Sequence, residues 1–263
     1  MNEGVFRRMF LKTVSEGKFS SPRGLRIVEL EDFAITVRPE NPFFGFPKRN
    51  YDVEYFKKEM LWKLGANKYD GSIKQHAKMW ESVQNPDGTF NSNYGQYWFG
   101  EQQGFWNVVQ ELVRDEDSRR AVIPMLSKEH MTPQTVDTVC TLAVGFRIRD
   151  GALHMSAYMR SSDQIFGLGT DIPTFAFLYR LVYTALLNTY DLRKGDITIV
   201  AMSSHIYERH FQMVEDIVQD QSYVEVDMPW PVNMAEVLFL TATRGKYTRA
   251  PDEFGLSNWL VTK

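Results

Sequence analysis

The dipeptide Asp150-Gly151 stands between two runs of strand-forming residues, 138–149 and 152–159, and constrains this chain more than any other short segment. Asp-Gly is the favoured pair for a two-residue type I′ turn, whose central positions both need positive φ. Two strands joined this way have a fixed register. With Arg149 opposite Ala152, counting back carries Cys140 opposite Ser161, within roughly 5 Å on one face. Arg160 comes one step along, and strict alternation turns it to the other face unless the strand ends or bulges there. The only cysteine in the chain is thus expected beside a hydroxyl and near a guanidinium. A guanidinium near a thiol favours the reactive thiolate, and arginine with serine makes a phosphate grip. Taken alone, these residues also fit a small buried hydrophobe at Cys140 and a solvated surface charge at Arg160.

The 263 residues are 43% hydrophobic and 14% aromatic, enough for a substantial core in one domain spanning 1–263. No internal repeat, low-complexity tract or long linker divides them. A formal charge of -3 argues against gripping nucleic acid along the chain, while leaving small anionic ligands open. One cysteine cannot form an internal disulfide. No Cys/His cluster has zinc-ligand spacing, so no metal is expected. At the N-terminus, Val5, Phe6, Met9, Phe10 and Val14 fall at helical spacing between charges, unlike a signal peptide or membrane span. A soluble, cytoplasmic protein without a membrane partner is the expectation.

Alternation predicts strands over 25–37, 121–125 and 196–202. Helical spacing predicts helices over 53–64, 73–83 and 105–113, the second stopped by Asn85-Pro86-Asp87-Gly88. Pro173 is well placed to open an apolar helix, and a later helix is expected to carry His205, His210 and Val214. Strands and helices mix without a regular βαβ beat. That predicts an α/β (α+β) fold with a large mixed sheet.

Several separated pieces share one further pattern: Glu59 in KKEMLWKL, Trp80 in KMWESV, NSNYG at 91–95, DSRR at 117–120, Cys140, RSSDQIFG at 160–167 and HIYERH at 205–210. Together they resemble the thymidylate synthase family, including its phage deoxycytidylate hydroxymethylase branch. The resemblance implies a mixed sheet flanked by helices and packed against its twin in a homodimer. It also implies a reaction between a pyrimidine nucleoside monophosphate and 5,10-methylenetetrahydrofolate. Cys140 matches the nucleophile that adds to carbon 6 of the pyrimidine, making carbon 5 reactive toward the folate's one-carbon unit. Glu59 and Tyr94 match residues that organise water and protons near the base. Arg160 and Ser161 match phosphate ligands, and Arg119 and Arg120 match a pair lent across the dimer to the neighbour's phosphate. Arg23 or Arg26 falls near a further phosphate-binding loop. His205 and Tyr207 match the pair that holds a sugar hydroxyl, and Trp80, Asp163 and Gly167 match residues of the folate pocket. By pattern alone, Glu59, Arg119 and Arg120 would be surface charges, and Trp80 an ordinary core aromatic.

Asp171, in GLGTDIPTF, departs from the methylases, which have asparagine there to pair with nitrogen 3 and oxygen 4 of uracil. A carboxylate facing oxygen 4 leaves buried polar groups mismatched. Cytosine instead offers an amino donor and an acceptor nitrogen, so Asp171 points to a cytidylate; otherwise it would be a helix N-cap before Pro173. Thr141 after the cysteine, Val83 in place of a second tryptophan, and the ending GLSNWLVTK also depart from the methylases. The resemblance therefore leads to a cytidylate 5-hydroxymethylase, in which water reaches a methylene that methylases protect, and Glu59, Tyr94, Asp171 and ordered water serve the proton steps. A thymidylate synthase, a uridylate hydroxymethylase and a non-catalytic RNA-binding relative are the alternatives. The sugar, ribose or deoxyribose, stays open.

Overall fold

The computed structural model describes residues 2–262. The chain opens with α1 (Glu3–Glu16), the short strand β1 (Lys18–Ser20) and the long strand β2 (Ile27–Val37). An aromatic loop leads to α2 (Val53–Leu64), the short helices α3 (Met79–Val83) and α4 (Gly95–Phe99), then α5 (Gly104–Arg114) and β3 (Val122–Pro124). The hairpin of β4 (Thr141–Arg149) and β5 (Ala152–Met159) continues through β6 (Ser162–Asp163) into α6 (Gly167–Leu186) and β7 (Arg193–Tyr207). The helices α7 (Phe211–Gln219), α8 (Met234–Thr243) and α9 (Gly255–Val261) follow.

The strands form one seven-stranded sheet in the order β1-β2-β7-β5-β4-β3, with β6 beside β7. β5 and β6 run parallel to β7 and the other pairings are antiparallel, which gives the mixed sheet that the sequence suggests. Period-two alternation decides its faces. Ile197, Ile199 and Ala201 of β7 and Met155, Ala157 and Met159 of β5 are buried. Tyr158, Met202 and Val122 are exposed on the opposite face. α6 packs on the buried face and is itself covered on nearly every side, as a helix that is apolar all round should be. Its Tyr179 hydroxyl donates to Leu153 O at 2.8 Å and accepts from Gly195 N at 3.0 Å, pinning helix to sheet.

Asp150 and Gly151 both have positive φ, 52° and 65°, as the type I′ turn requires. α2 has the bounds that periodicity predicts, with the Asp52 carboxylate accepting from Tyr55 N at 2.8 Å as its cap.

Other elements differ. Residues 73–83 do not make one helix. A 3-10 turn at Gly71–Gln75 precedes α3, because Ile73 and Trp80 both turn inward to Trp62 and Phe90. α6 starts at Gly167, so Pro173 lies inside it and Asp171 is not an N-cap. The proline costs about 3 kcal/mol, through one lost backbone bond and the clash of its ring with the preceding turn. Burying each large apolar side chain of α6 contributes about 1.5–3 kcal/mol, so the helix persists. His205 lies in β7 rather than a helix, since β2 and β6 both extend far enough to pair with that strand's end. The following helix begins at Phe211.

Candidate active site

The strict register fails where it matters most. Arg149 pairs with Ala152 and the pairing continues to Ala143 opposite Tyr158, but Thr141 then faces Met159. A bulge at Leu142 absorbs one residue. Cys140 is consequently level with Arg160 rather than with Ser161, and Arg160 N donates to Cys140 O at 2.8 Å. The Arg160 side chain folds back over the same loop. Its Nε donates to Val139 O at 2.9 Å, and an Nη donates to Thr138 O and lies 3.7 Å from Cys140 Sγ. Burial pushes the thiol up from its ordinary value, while the Arg160 cation pulls it back. Ser161 follows, half-buried.

Thr141 links the cysteine to a second group of side chains. Its hydroxyl donates to the Tyr94 hydroxyl at 3.1 Å. Burial raises the Tyr94 phenol well above its usual value, so it stays protonated near neutral pH. Across from it, α2 presents Glu59 and Lys63 one turn apart, paired at 2.6 Å with both side chains at most 5% exposed. Glu59 is therefore no surface charge. α6 supplies Asp171 and, three residues on, Thr174, which accepts from Lys63 Nζ at 3.2 Å. Burial pushes the Asp171 carboxyl up to about 7, against the pull of Lys63 and with further upward pressure from Glu59 and Asp163. A carboxyl held there can carry its proton at neutral pH and act as donor as well as acceptor.

Trp80 is 5% exposed, tilted against Trp62 with centroids 5.0 Å apart. Its indole N–H donates to the Tyr55 hydroxyl at 2.9 Å. Val83 is half-buried against this cluster.

At the other end of the site, β6 and β7 pair Asp163 with His205, and β2 pairs Glu29 with the same histidine. The Ser203 hydroxyl donates to Glu29 and lies 3.3 Å from His205 Nδ1. Burial lowers the imidazole from its ordinary value, while Asp163 and Glu29 pull it back up. Tyr207 stands two residues on, with ring centroids 5.0 Å apart. Asp163 accepts from Ile165 N at 3.1 Å, and a Cβ on Gly167 would come within 3.2 Å of Asp163 Cβ. Of the two arginines before β2, Arg26 is committed to Glu208 at 2.8 Å. The charge of Arg23 instead reaches both Cys140 and His205.

Arg119 and Arg120 are exposed and lie elsewhere. The adjoining Ala121 O accepts from Phe146 N, six residues along β4 from Cys140. That is roughly 20 Å of extended strand.

Periodicity alone passes over three residues of this neighbourhood. Lys63 reads as one more charge on α2, although an i,i+4 pair with Glu59 on an otherwise apolar face is a usable signal. Glu29 and Arg49 reach the site only through sheet pairing and loop packing. Arg49 donates to Ile165 O at 3.1 Å and lies 4.2 Å from the centre of the Phe166 ring.

A sequence model described as thymidylate synthase matches residues 28–240, which include all of these groups except Arg23 and Arg26. The chain belongs to the thymidylate synthase family. Among curated relatives of this family member, the deoxycytidylate 5-hydroxymethyltransferase of Enterobacteria phage T4 is 27% identical over 172 residues. That match covers 62% of this chain and 70% of the phage protein. A putative thymidylate synthase of Methanosarcina barkeri is 27% identical over 205 residues, covering 75% and 82%. The deoxyuridylate hydroxymethyltransferase of Bacillus phage SP01 is 26% identical over 227 residues, covering 78% and 57%. The putative thymidylate synthase and the hydroxymethyltransferases match at nearly equal identity, so identity does not choose between them. The chain is thus an enzyme of a family whose members bind nucleotide and folate substrates and use methylenetetrahydrofolate. No helix among the described residues is long and apolar enough to cross a membrane. Nor do those residues include a group of three or more His, Cys, Asp or Glu placed to hold a metal ion.

Proposed function

We propose that this protein hydroxymethylates carbon 5 of a cytidine monophosphate, with methylenetetrahydrofolate as the one-carbon donor and water as the final nucleophile. The carrying observation is Asp171, a carboxyl pushed up to about 7 beside Glu59 and Lys63. In its protonated form it donates to nitrogen 3 of cytosine and accepts from the 4-amino group. Uracil presents a donor at nitrogen 3 and an acceptor at oxygen 4; ionised Asp171 sets its charge against that oxygen, whereas cytosine's 4-amino group donates to the carboxyl in either form.

Cys140 adds through sulfur to carbon 6, and the Arg160 guanidinium 3.7 Å away favours the thiolate. Arg160, Ser161 and Arg23 hold the phosphate, with Arg119 and Arg120 of a second copy. His205 and Tyr207 hold the sugar. Trp80, Asp163 and Gly167 border the folate, which supplies the methylene carbon and leaves as tetrahydrofolate. Glu59 and Tyr94 manage the protons. The homodimer is supported by the exposed sheet face bearing Tyr158, Met202 and Val122. It is also supported by the distance that separates Arg119 and Arg120 from Cys140 of their own chain. Water access is favoured by Val83, smaller than tryptophan beside Trp62 and Trp80, and by Thr141 bonded to Tyr94.

Methylation of deoxyuridylate is the alternative, supported by the long match to the Methanosarcina barkeri relative. Substrate preference separates the two. Asp171→Asn should lower the ratio of kcat/KM for dCMP over dUMP by about a hundredfold, the equivalent of two mismatched buried hydrogen bonds. An unchanged ratio would remove Asp171 from base recognition.

A further inference from the structure

Lys63 is the buried cation at the centre of the site, and nothing above gives it a task. Its side chain is 3% exposed, and its Nζ lies 2.6 Å from Glu59 Oε1, 3.2 Å from Thr174 Oγ1 and 5.0 Å from the centre of the Tyr94 ring. The backbone fixes that seat. A Cβ on Gly95 would lie 1.5 Å from Lys63 O, so the residue after Tyr94 is packed directly on the turn of α2 that carries the lysine. The Asn93 amide donates to Trp62 O at 3.3 Å on the same turn. The backbone on either side of Tyr94 is thus seated on the turn of α2 that carries Lys63.

A buried ion pair is a poor source of stability, since apolar side chains of similar volume often serve as well. A lysine kept at this position, among Glu59, Tyr94, Asp171 and Thr174, calls for a chemical reason. The groups facing the pair are predominantly acidic or phenolic. Asp171 and Thr174 come from α6, Asp163 acts from the end of β6, and Tyr51 and Tyr55 approach from before and within α2. Lys63 is the cation in direct contact with Glu59 in this group.

We propose that Lys63 is a positioning residue that holds and aims Glu59, so that Glu59 takes the proton from the water that completes hydroxymethylation. The inference rests on the function proposed above. In the step it serves, the water oxygen forms a bond to the exocyclic methylene carbon on carbon 5, and its proton passes to Glu59. The methylene π pair moves into the ring, then re-forms the bond between carbons 5 and 6 as the carbon 6–sulfur bond breaks and Cys140 leaves as thiolate. Glu59 returns its proton to solvent before the next turnover. The ammonium, 2.6 Å from Glu59 Oε1, fixes the carboxyl in place for that transfer.

The test is steady-state kinetics of Lys63→Gln, which keeps an amide for Glu59 and Thr174 but removes the charge, beside Lys63→Arg, which keeps the charge. Lys63→Gln should lower kcat for the hydroxymethyl product by about thirtyfold or more and change nucleotide KM by less than about threefold. Lys63→Arg, which can still pair with Glu59, should keep kcat within about threefold of the unsubstituted protein. Exchange of the hydrogen on carbon 5 without folate, which needs Cys140 addition but no water attack, should persist in Lys63→Gln. Unchanged kcat in Lys63→Gln would overturn the assignment while the unsubstituted protein's product still supported the proposed function. Loss of exchange together with turnover would show a structural role and overturn it too. Absence of any hydroxymethyl product from the unsubstituted protein would overturn both.

Discussion

Arg160 reaches the thiol of Cys140, with 3.7 Å between an Nη and Sγ, only because a one-residue bulge at Leu142 resets the register of the β4–β5 hairpin. Without the bulge the guanidinium would leave the sheet on the opposite face, and Ser161 would face the cysteine. Since the cation offsets part of the upward push of burial, its removal should make the thiol harder to ionise. Arg160→Leu is expected to slow alkylation of Cys140 at pH 8 by about tenfold. The pH dependence of iodoacetamide labelling measures this directly.

Asp171 ties substrate choice to stability. Its carboxyl is held at about 7 in the folded chain against 3.8 ordinarily. Between those values the folded chain keeps a proton that the unfolded chain releases, so this group's contribution to stability declines as pH rises through the window. The decline amounts to roughly 2–4 kcal/mol. Asp171→Asn should be more stable than the natural chain at pH 8 by about that amount and nearly equal to it below pH 4. Urea unfolding at the two pH values gives the comparison.

The same proton predicts a pH profile. Only protonated Asp171 donates to nitrogen 3 of cytosine, so kcat/KM for dCMP should fall as pH rises past about 7. Asp171→Asn should lose that basic limb. Initial rates across pH 5.5–9 decide the matter.

Arg119 and Arg120 lie roughly 20 Å of strand from Cys140 of their own chain, which gives a complementation test. Cys140→Ser and the double variant Arg119→Ala/Arg120→Ala should each be nearly inactive. Mixing them under conditions that exchange subunits should restore activity, because one hybrid site combines an intact Cys140 with intact arginines. No recovery on mixing would mean the arginines do not act across a dimer.

Gly95 is where the backbone tolerates no side chain, since a Cβ would overlap Lys63 O. Gly95→Ala should cost about 3 kcal/mol or more and loosen Tyr94 from Lys63. Thermal unfolding measures the first effect, and a depressed kcat in whatever protein stays folded measures the second.

Local patterns forecast what local physics decides. Asp150-Gly151 makes its turn, and α2 keeps its predicted bounds because apolar spacing and the Asp52 cap agree. Elements governed by distant packing are less legible. Nothing in the alternation of 138–149 announces a bulge, as one extra residue leaves the composition of the strand unchanged. Pro173 looks like a helix start, and only the burial of α6 on all sides lets the helix begin at Gly167. His205 belongs to β7 because β2 and β6 extend beside it, a fact about partners far away in sequence. Within the site, Glu59 and Asp171 stand out through resemblance, whereas Lys63 is hinted at by its i,i+4 spacing from Glu59 and gains its setting when α2, α4 and α6 are brought together.

The most direct measurement is the mass of the nucleotide product after incubation with methylenetetrahydrofolate and an equimolar mixture of dCMP, CMP and dUMP. The expected result is a cytosine nucleotide heavier by CH2O, with its sugar identified by which of dCMP and CMP is consumed. A uracil nucleotide heavier by CH2 would contradict the assignment of Asp171 to cytosine and of the site to water addition.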